Sequence, residues 1–245
     1  MGAGAHASCP SGVPRRLAPV SAVPVAAVET LEGYAAATAS CTRCRLAQGR
    51  TQVVFGAGNP RADLMFVGEA PGFHEDKQGV PFVGQAGKLL DGLLAGVDLR
   101  REDVYIANVL KCRPPGNRDP QADEIESCEP HLFRQIELIE PKVIATLGNF
   151  ATKLLSGRPL GITRMRGSVY PWHGRKVIPT FHPAAILRGG GEKARQFGEL
   201  QEDFALIKRT LAGPEPPPPP VTSLVEFERA AEGTPAVTDD QLELF

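Results

Sequence analysis

The sequence predicts an α/β protein with a central, largely parallel sheet of four strands. Four short apolar runs are bounded by turn residues, and longer segments with helical periodicity separate them. Strands that alternate with helices pair in parallel, with helices covering both faces of the sheet. We expect the strands at residues 63–67, 104–107, 142–147 and 176–180.

Helices are expected between and around these strands, at residues 31–47, 86–95, 121–139, 149–155 and 192–211. Ligand sites in such folds lie at the carboxyl ends of strands. Three predicted strands are followed closely by a motif that suits a site: Gly68-Glu69 after the first, Asn108 after the second and His182 after the fourth. The predicted topology therefore indicates one site built from three separate segments.

Composition divides the chain into a folded body and two tails. Residues 1–28 are rich in Ala, Pro, Gly and Val without a sustained period, which predicts a disordered leader. The body is expected over residues 29–212, and a Pro-rich, acidic linker over residues 213–240. Because the chain has no run of 18 apolar residues, we expect no membrane span and a cytoplasmic location.

The net charge of −1 conceals an uneven distribution. Residues 158–195 carry eight Lys or Arg and one Glu, whereas residues 214–245 carry seven acidic residues and one Arg. A basic body with an acidic tail is compatible with a polyanionic partner.

Four cysteines form a pattern typical of a metal site. Cys41 and Cys44 make a C-x2-C pair, and Cys112 and Cys128 follow far downstream. Four thiolates at this spacing suit either a [4Fe–4S] cluster or a structural zinc ion in a reducing compartment. Cys9 lies in the leader and is not expected to take part.

Each strand-end motif has both a functional and a plain structural interpretation. The amides of residues 68–72 can donate to a ligand, or form an ordinary Gly/Pro turn. Phe82 can stack on a base or belong to the core. Asn108 offers one donor and one acceptor to a nucleobase edge, but Asn also ends strands as a turn residue. His182 before Pro183 also fits a helix entrance.

Together these motifs resemble those of the family 4, iron–sulfur uracil-DNA glycosylases. The similarity covers about residues 30–212 and implies the three-layer α/β/α sandwich of that superfamily. The segments that carry it, in order, are Gly68-Glu69-Ala70-Pro71-Gly72 with Glu75-Asp76, Gly79-Val80-Pro81-Phe82-Val83-Gly84 with Ala86-Gly87, Asn108-Val109-Leu110-Lys111-Cys112-Arg113-Pro114-Pro115-Gly116-Asn117-Arg118, and His182-Pro183-Ala184-Ala185.

The resemblance implies that a uracil flipped out of DNA stacks on Phe82 while Asn108 reads its Watson–Crick edge. His182, helped by backbone amides near Gly68 and Ala70, is expected to stabilise the departing base. Glu69 is the candidate that orients or activates water.

Two neighbouring acids, Glu75 and Asp76, are expected to be capping or salt-bridge groups. Asp76 is the weaker candidate for a catalytic role. One branch of the superfamily traps DNA covalently through an inserted Lys-Arg-Arg-Ile-His segment, which this chain lacks, so hydrolytic turnover is expected.

The resemblance also implies that Cys41, Cys44, Cys112 and Cys128 bind a structural [4Fe–4S] cluster, although zinc remains the alternative. Phosphates are expected to contact the basic segment 158–195, with Arg164, Arg166 and Arg188 as candidates. The expected partner is uracil-containing DNA, single- or double-stranded, in the nucleoid, and the protein is expected to be a monomer.

The final residues, Gln241, Leu242, Glu243, Leu244 and Phe245, resemble the peptide by which bacterial repair proteins bind the sliding clamp. A flexible linker lets such a peptide reach a partner, and its apolar side chains suit a groove. The alternative is a tail that packs on its own domain.

Two other functions remain open from the sequence. One is a non-catalytic Fe–S protein that binds nucleic acid or senses redox state on the same fold. The other is a hydrolase for a different base. The joint presence of Glu69, Asn108 and His182 favours an enzyme, because a binding module has no need of that set.

Overall fold

Six strands form one mixed sheet in the part of the chain that a computed structural model describes, residues 30–191 and 195–213. The sheet order is β1-β3-β2-β4-β6-β5. The strands are β1 Ala57–Gly58, β2 Leu64–Gly68, β3 Tyr105–Asn108, β4 Val143–Leu147, β5 Tyr170–Trp172 and β6 Arg175–Thr180.

The parallel core of the sheet is confirmed, whereas the predicted number of strands is wrong. The inner strands β3, β2, β4 and β6 pair in parallel, and they correspond to the four predicted strands. The extra strands β1 and β5 are antiparallel additions at the two edges. With only two and three residues, they are too short to show a period in the sequence.

Eight α-helices surround the sheet in the described residues. Four lie at or close to their predicted positions: α3, α4, α5 and α8. Residues 192–194, at the start of the last predicted helix, lie outside the described ranges. The helices are α1 Leu31–Thr38, α2 Phe73–Gln78, α3 Gln85–Ala95, α4 Ala122–Ile139, α5 Asn149–Ser156, α6 Ile162–Met165, α7 Pro183–Arg188 and α8 Arg195–Leu211.

The first helix is shorter than predicted. It begins at a cap in which the Thr30 side chain accepts a hydrogen bond from the Gly33 amide at 3.1 Å. It ends at Thr38, because the next residues include Ser40 and Thr42, which are weak helix formers. Cys41 and Cys44 therefore lie on a loop and not on the helix.

The sheet separates two apolar layers. Leu64 and Phe66 of β2 face a cluster that contains residues of α3 and α8, whereas Met65 and Val67 face a cluster that contains residues of α4 and α5. Alternate residues of a strand point to opposite faces, so β2 contributes to both layers. This arrangement confirms the three-layer α/β/α class.

No helix in residues 30–191 and 195–213 has the length and apolarity to cross a membrane. The predicted leader 1–28, most of the linker 213–240 and the peptide 241–245 lie outside the described residues.

Candidate active site

Three strands end at a pocket of about 310 Å³. Glu69 follows β2, Asn108 ends β3, and His182 follows β6 by two residues. The parallel register pairs Gly68 with Asn108, which puts the first two segments side by side. The pocket is lined by Glu69, Ala70, Pro71, Gly72, Glu75, Phe82, Ala86, Asn108, Pro114, Asn117, Arg118, Asp119, His182, Ala184 and Arg188.

Asn108 forms an unusual part of the pocket wall, because its side-chain oxygen is buried without a partner. The residue is 1% exposed, and Oδ1 accepts no hydrogen bond within the described residues. The backbone beneath it is fixed, since Lys111 Nζ donates to the Asn108 carbonyl at 2.7 Å. An unpaired buried acceptor costs about 1–3 kcal/mol, so this amide is suited to a ligand that donates.

Gly68 makes this packing possible. A Cβ at position 68 would lie 2.3 Å from Asn108 Oδ1 and 2.7 Å from Phe82 Cζ. No side chain fits there without moving both groups. Gly68 is not among the pocket-lining residues, and its contribution is the space it leaves for Asn108 and Phe82.

Phe82 is held in a strained turn by Glu75. Its backbone has a φ of 54°, in the left-handed region that non-glycine residues seldom adopt. Glu75 Oε1 accepts hydrogen bonds from the amides of Val83 at 2.9 Å and Gly84 at 3.0 Å. The Phe82 ring stacks near His182, with centroids 5.5 Å apart. Glu75 therefore positions Phe82, a function that sequence reasoning did not identify.

Asp76 is a structural anchor. It is 3% exposed and accepts a hydrogen bond from the Thr51 amide at 2.9 Å. It does not line the pocket in the described residues. This favours the structural interpretation of Asp76 over a catalytic one.

His182 caps α7 and is uncharged near neutral pH. Its Nδ1 accepts a hydrogen bond from the Ala184 amide at 3.1 Å. Burial, with a smaller effect from the positive charge of Arg188, lowers the pKa of His182 to about 4, and Glu75 acts in the opposite direction. Because Nδ1 is an acceptor, the neutral ring carries its proton on Nε2 and can donate from there.

Glu69 lies in an environment that favours its protonated form. Burial is the main cause that raises its pKa, and the negative charge of Asp119 adds to it, while Arg188 opposes both. Asp119 belongs to the loop after Cys112 and was not identified from the sequence as a site residue. The only available signal was that the polar stretch 113–119 continues the Asn108 motif.

The three arginine candidates for phosphate contacts occupy different environments. Arg188 lines the pocket, and Arg164 is exposed on α6 away from the pocket-lining residues. Arg166 is largely buried, with 15% of its side chain exposed, and its guanidinium binds Asp203 at 2.8 and 3.0 Å. The same group lies 5.3 Å from the Phe181 ring. These contacts favour a structural role for Arg166.

The four cysteines line a second cavity, to which Lys111 of the Asn108 motif also contributes. Two of their sulfur atoms accept N–H hydrogen bonds: Cys112 receives one from Arg50 at 3.4 Å, and Cys128 receives one from the Lys111 amide at 3.3 Å. A third sulfur, that of Cys41, lies 3.4 Å from His131 Nε2. Such donors stabilise negatively charged sulfur. In the described residues, no group of three or more His, Cys, Asp or Glu is placed to hold a single metal ion.

A hydrogen-bonded chain supports Cys41. The Tyr34 hydroxyl lies 2.7 Å from His131 Nδ1, and His131 Nε2 lies 3.4 Å from the Cys41 sulfur. If the hydroxyl donates to Nδ1, the ring proton resides on Nε2 and points to the sulfur. Helices α1 and α4 thus meet through the side chains that support the first cysteine.

Comparisons with known proteins agree with this geometry. The family model described as the uracil DNA glycosylase superfamily matches residues 55–205. The chain is 49% identical to a type-4 uracil-DNA glycosylase of Archaeoglobus fulgidus, over 77% of this chain and 97% of that protein. It is 48% identical to one of Thermotoga maritima, over 74% and 96%. It is 45% identical to one of Sulfurisphaera tokodaii, over 77% and 88%.

Proposed function

The chain belongs to the uracil DNA glycosylase superfamily and excises uracil from DNA; we propose that it does so in the pocket at the ends of β2, β3 and β6. The reaction hydrolyses the bond between the base and deoxyribose and leaves an abasic site. This excision is the first step of base-excision repair. Because this bond is inaccessible in a stacked duplex, the nucleotide must be flipped into the pocket.

The unpaired Oδ1 of Asn108 is the observation that carries this proposal. Uracil has a donor at N3–H and an acceptor at O4, so an Asn side chain can accept from the first and donate to the second. Cytosine has an acceptor at N3 and a donor at the exocyclic amine. With cytosine in the same position, Oδ1 of Asn108 would face the acceptor N3 or its amide NH₂ would face the donor amine. Each unpaired group would cost about 1–3 kcal/mol.

The neutral His182 is suited to stabilising the departing uracil. Cleavage places negative charge on the base, and Nε2–H of His182 can donate to a uracil oxygen as that charge grows. Because the donor is neutral, it provides a hydrogen bond without transferring its proton. Phe82, stacked near His182, would form one face of the uracil slot.

Glu69 is suited to stabilising the sugar and activating the attacking water. Positive charge develops on the sugar, and a carboxylate favours it while accepting a proton from the attacking water. The pKa of Glu69 is raised by burial and by Asp119, which makes it a stronger base than an exposed glutamate. The group is therefore active only when it is deprotonated.

We further propose that Cys41, Cys44, Cys112 and Cys128 hold a [4Fe–4S] cluster. The shared cavity, the two N–H donors to sulfur and the contact between His131 and Cys41 support this assignment. When bound, the cluster would supply a covalent link between the loop after α1, the segment behind Asn108, and α4. Absorbance near 400 nm and about four iron atoms per chain are expected. One zinc ion without iron would contradict the assignment.

We also propose contacts beyond the pocket, on the resemblance of residues 241–245 to a clamp-binding peptide. Residues 241–245 would bind the sliding clamp, and the protein would act as a monomer on nucleoid DNA in the cytoplasm. Deleting residues 241–245 is expected to abolish clamp binding while leaving activity on short oligonucleotides unchanged. Unchanged clamp affinity would disprove this role of the peptide.

The enzymatic assignment is tested by incubating the metal-loaded protein with a single strand that contains one uracil, followed by alkaline cleavage at the abasic site. Wild-type protein is expected to cut the strand at the uracil position. Glu69→Ala and His182→Ala are expected to lose most of that activity. Absence of cleavage by the wild type, or full activity in both variants, would overturn the assignment of the pocket.

A further inference from the structure

Phe73 is an exposed aromatic residue at the rim of the pocket. The residue is 49% exposed, although phenylalanine is among the residues most often buried. It is the first residue of α2 and directly follows Gly72, which lines the pocket. Phe73 is therefore the immediate chain neighbour of the pocket lining, although it is not itself a lining residue.

Two cations flank this ring. The Arg113 guanidinium lies 5.1 Å from the centroid of Phe73, and Lys77 Nζ lies 6.0 Å from it. Arg113 is tied to the pocket as well, because its Nε donates to Asn117 Oδ1 at 2.7 Å, and Asn117 lines the pocket. We call Phe73, Lys77 and Arg113 the rim platform.

The rim platform differs from the other exposed apolar side chains. In the described residues these are Val80, Leu160, Val169 and Leu187, and none of them is aromatic. A nucleobase gains about 1–3 kcal/mol by stacking on an aromatic ring, whatever its sequence. Lysine and arginine provide the complementary charge for phosphates. An exposed aromatic ring with two nearby cations thus offers contacts for both the bases and the phosphates of a single strand.

We propose that the rim platform binds the nucleotide next to the flipped uracil, with its base stacked on Phe73 and its phosphates near Lys77 and Arg113. This inference rests on the proposed function, because it places the strand relative to the uracil pocket. Stacking requires a neighbouring base that is free of its own stack. The platform therefore favours single-stranded or locally opened DNA without a sequence preference.

The test is a binding cycle on short single strands that carry a non-cleavable 2′-fluoro uracil nucleotide. The base on one side of the uracil is removed by substituting a tetrahydrofuran spacer, first on the 5′ side and then on the 3′ side. For the wild type, one of these spacers is expected to weaken binding roughly five- to fifty-fold. Phe73→Ala is expected to bind the complete strand more weakly by a similar factor, and to lose nothing further with that spacer.

Two variants act as controls. Phe73→Trp keeps an aromatic face and is expected to retain the sensitivity to the spacer, whereas Phe73→Leu keeps apolar volume and is expected to lose it. Val169→Ala removes another exposed apolar side chain, 40% exposed and away from the pocket, and is expected to behave like the wild type. Lys77→Gln is expected to reduce the salt dependence of binding by about one phosphate contact.

Equal sensitivity of the wild type and Phe73→Leu to both spacers would overturn the rim platform, and so would an insensitive wild type. The outcome of this binding cycle is independent of the test of the enzymatic function. That test measures the release of uracil from the unmodified strand by the wild type. A protein that releases uracil but shows no coupling between Phe73 and a neighbouring base retains its function and lacks the platform.

Discussion

The backbone amide of Ala184 donates a hydrogen bond to Nδ1 of His182 over 3.1 Å. This contact at the start of α7 makes Nδ1 an acceptor and leaves Nε2–H as the donor of the neutral ring. One hydrogen bond therefore caps a helix and fixes the protonation state of a proposed catalytic group.

Substitution of His182 separates these two roles. His182→Asn is expected to keep the helix cap, since Asn is a good capping residue, but to lose the donor at the position of Nε2. His182→Ala loses both. We expect kcat to fall about 10²- to 10³-fold in both variants, and stability to fall by about 1 kcal/mol only in the alanine variant. Steady-state kinetics and thermal unfolding measure the two effects. Near-wild-type kcat in His182→Asn would restrict His182 to capping.

The acid limb of the pH–rate profile is expected to report Glu69 and not His182. The pKa of Glu69 is raised by burial and by Asp119, so the carboxylate is lost as pH falls, at a higher pH than for an exposed glutamate. The pKa of His182 is about 4, so this ring remains neutral over the same range. The measurement is kcat/KM against pH, because this ratio reports the pKa values of the free enzyme.

A pair of variants tests that assignment with opposite signs. Asp119→Asn removes a negative charge that raises the pKa of Glu69, so the acid limb is expected to move to lower pH. Arg188→Gln removes a positive charge that lowers it, so the limb is expected to move to higher pH. Shifts in the same direction would exclude Glu69 as the titrating group.

Glu75 is expected to affect substrate binding more than the chemical step. Its carboxylate accepts two backbone hydrogen bonds that hold Phe82 at a positive φ. Glu75→Ala is expected to cost about 1–3 kcal/mol of stability and to weaken inhibition by free uracil. Thermal unfolding and uracil inhibition constants check both effects, with Glu126→Ala on α4 as a control that leaves them unchanged. A large loss in kcat without a change in uracil affinity would indicate a catalytic role instead.

Tyr34→Phe is expected to weaken the support of Cys41 without affecting the pocket. Loss of the hydroxyl removes the hydrogen bond to His131 Nδ1, so the proton of His131 is no longer fixed on the nitrogen that faces the sulfur. Iron is expected to be released several-fold faster during air oxidation, as followed by the decay of absorbance near 400 nm. Freshly prepared variant should retain wild-type activity. An unchanged decay rate would exclude a role of the Tyr34–His131 chain at the cysteines.

The sequence was sufficient to predict that Glu69, Asn108 and His182 meet at the pocket, because strand-end positions are local in the chain. Glu69, Asn108 and His182 all follow apolar runs, and parallel strands bring their carboxyl ends to one edge. The resemblance to a known family then assigned them their expected roles.

Contacts between distant segments could not be predicted in this way. Nothing near Arg166 in the sequence indicates that Asp203, on the last helix, binds its guanidinium. The proximity of Asp119 to Glu69 depends likewise on the path of the loop after Cys112. The end of α1 at Thr38 was missed because the alanines at residues 35–37 and at Ala39 favour a helix on both sides of it.

Recognition of uracil is proposed to depend on the Asn108 amide, which would accept a hydrogen bond from N3–H of the base. The most direct measurement compares single-turnover uracil release, at saturating protein, by the wild type and Asn108→Ala on the same single strand. We expect a loss of at least about 10²-fold in Asn108→Ala. The absorbance of the proposed cluster is expected to be retained, and the unfolding temperature to be no lower than that of the wild type, since an unpaired buried acceptor is removed. Uracil release by Asn108→Ala at the wild-type rate would contradict it.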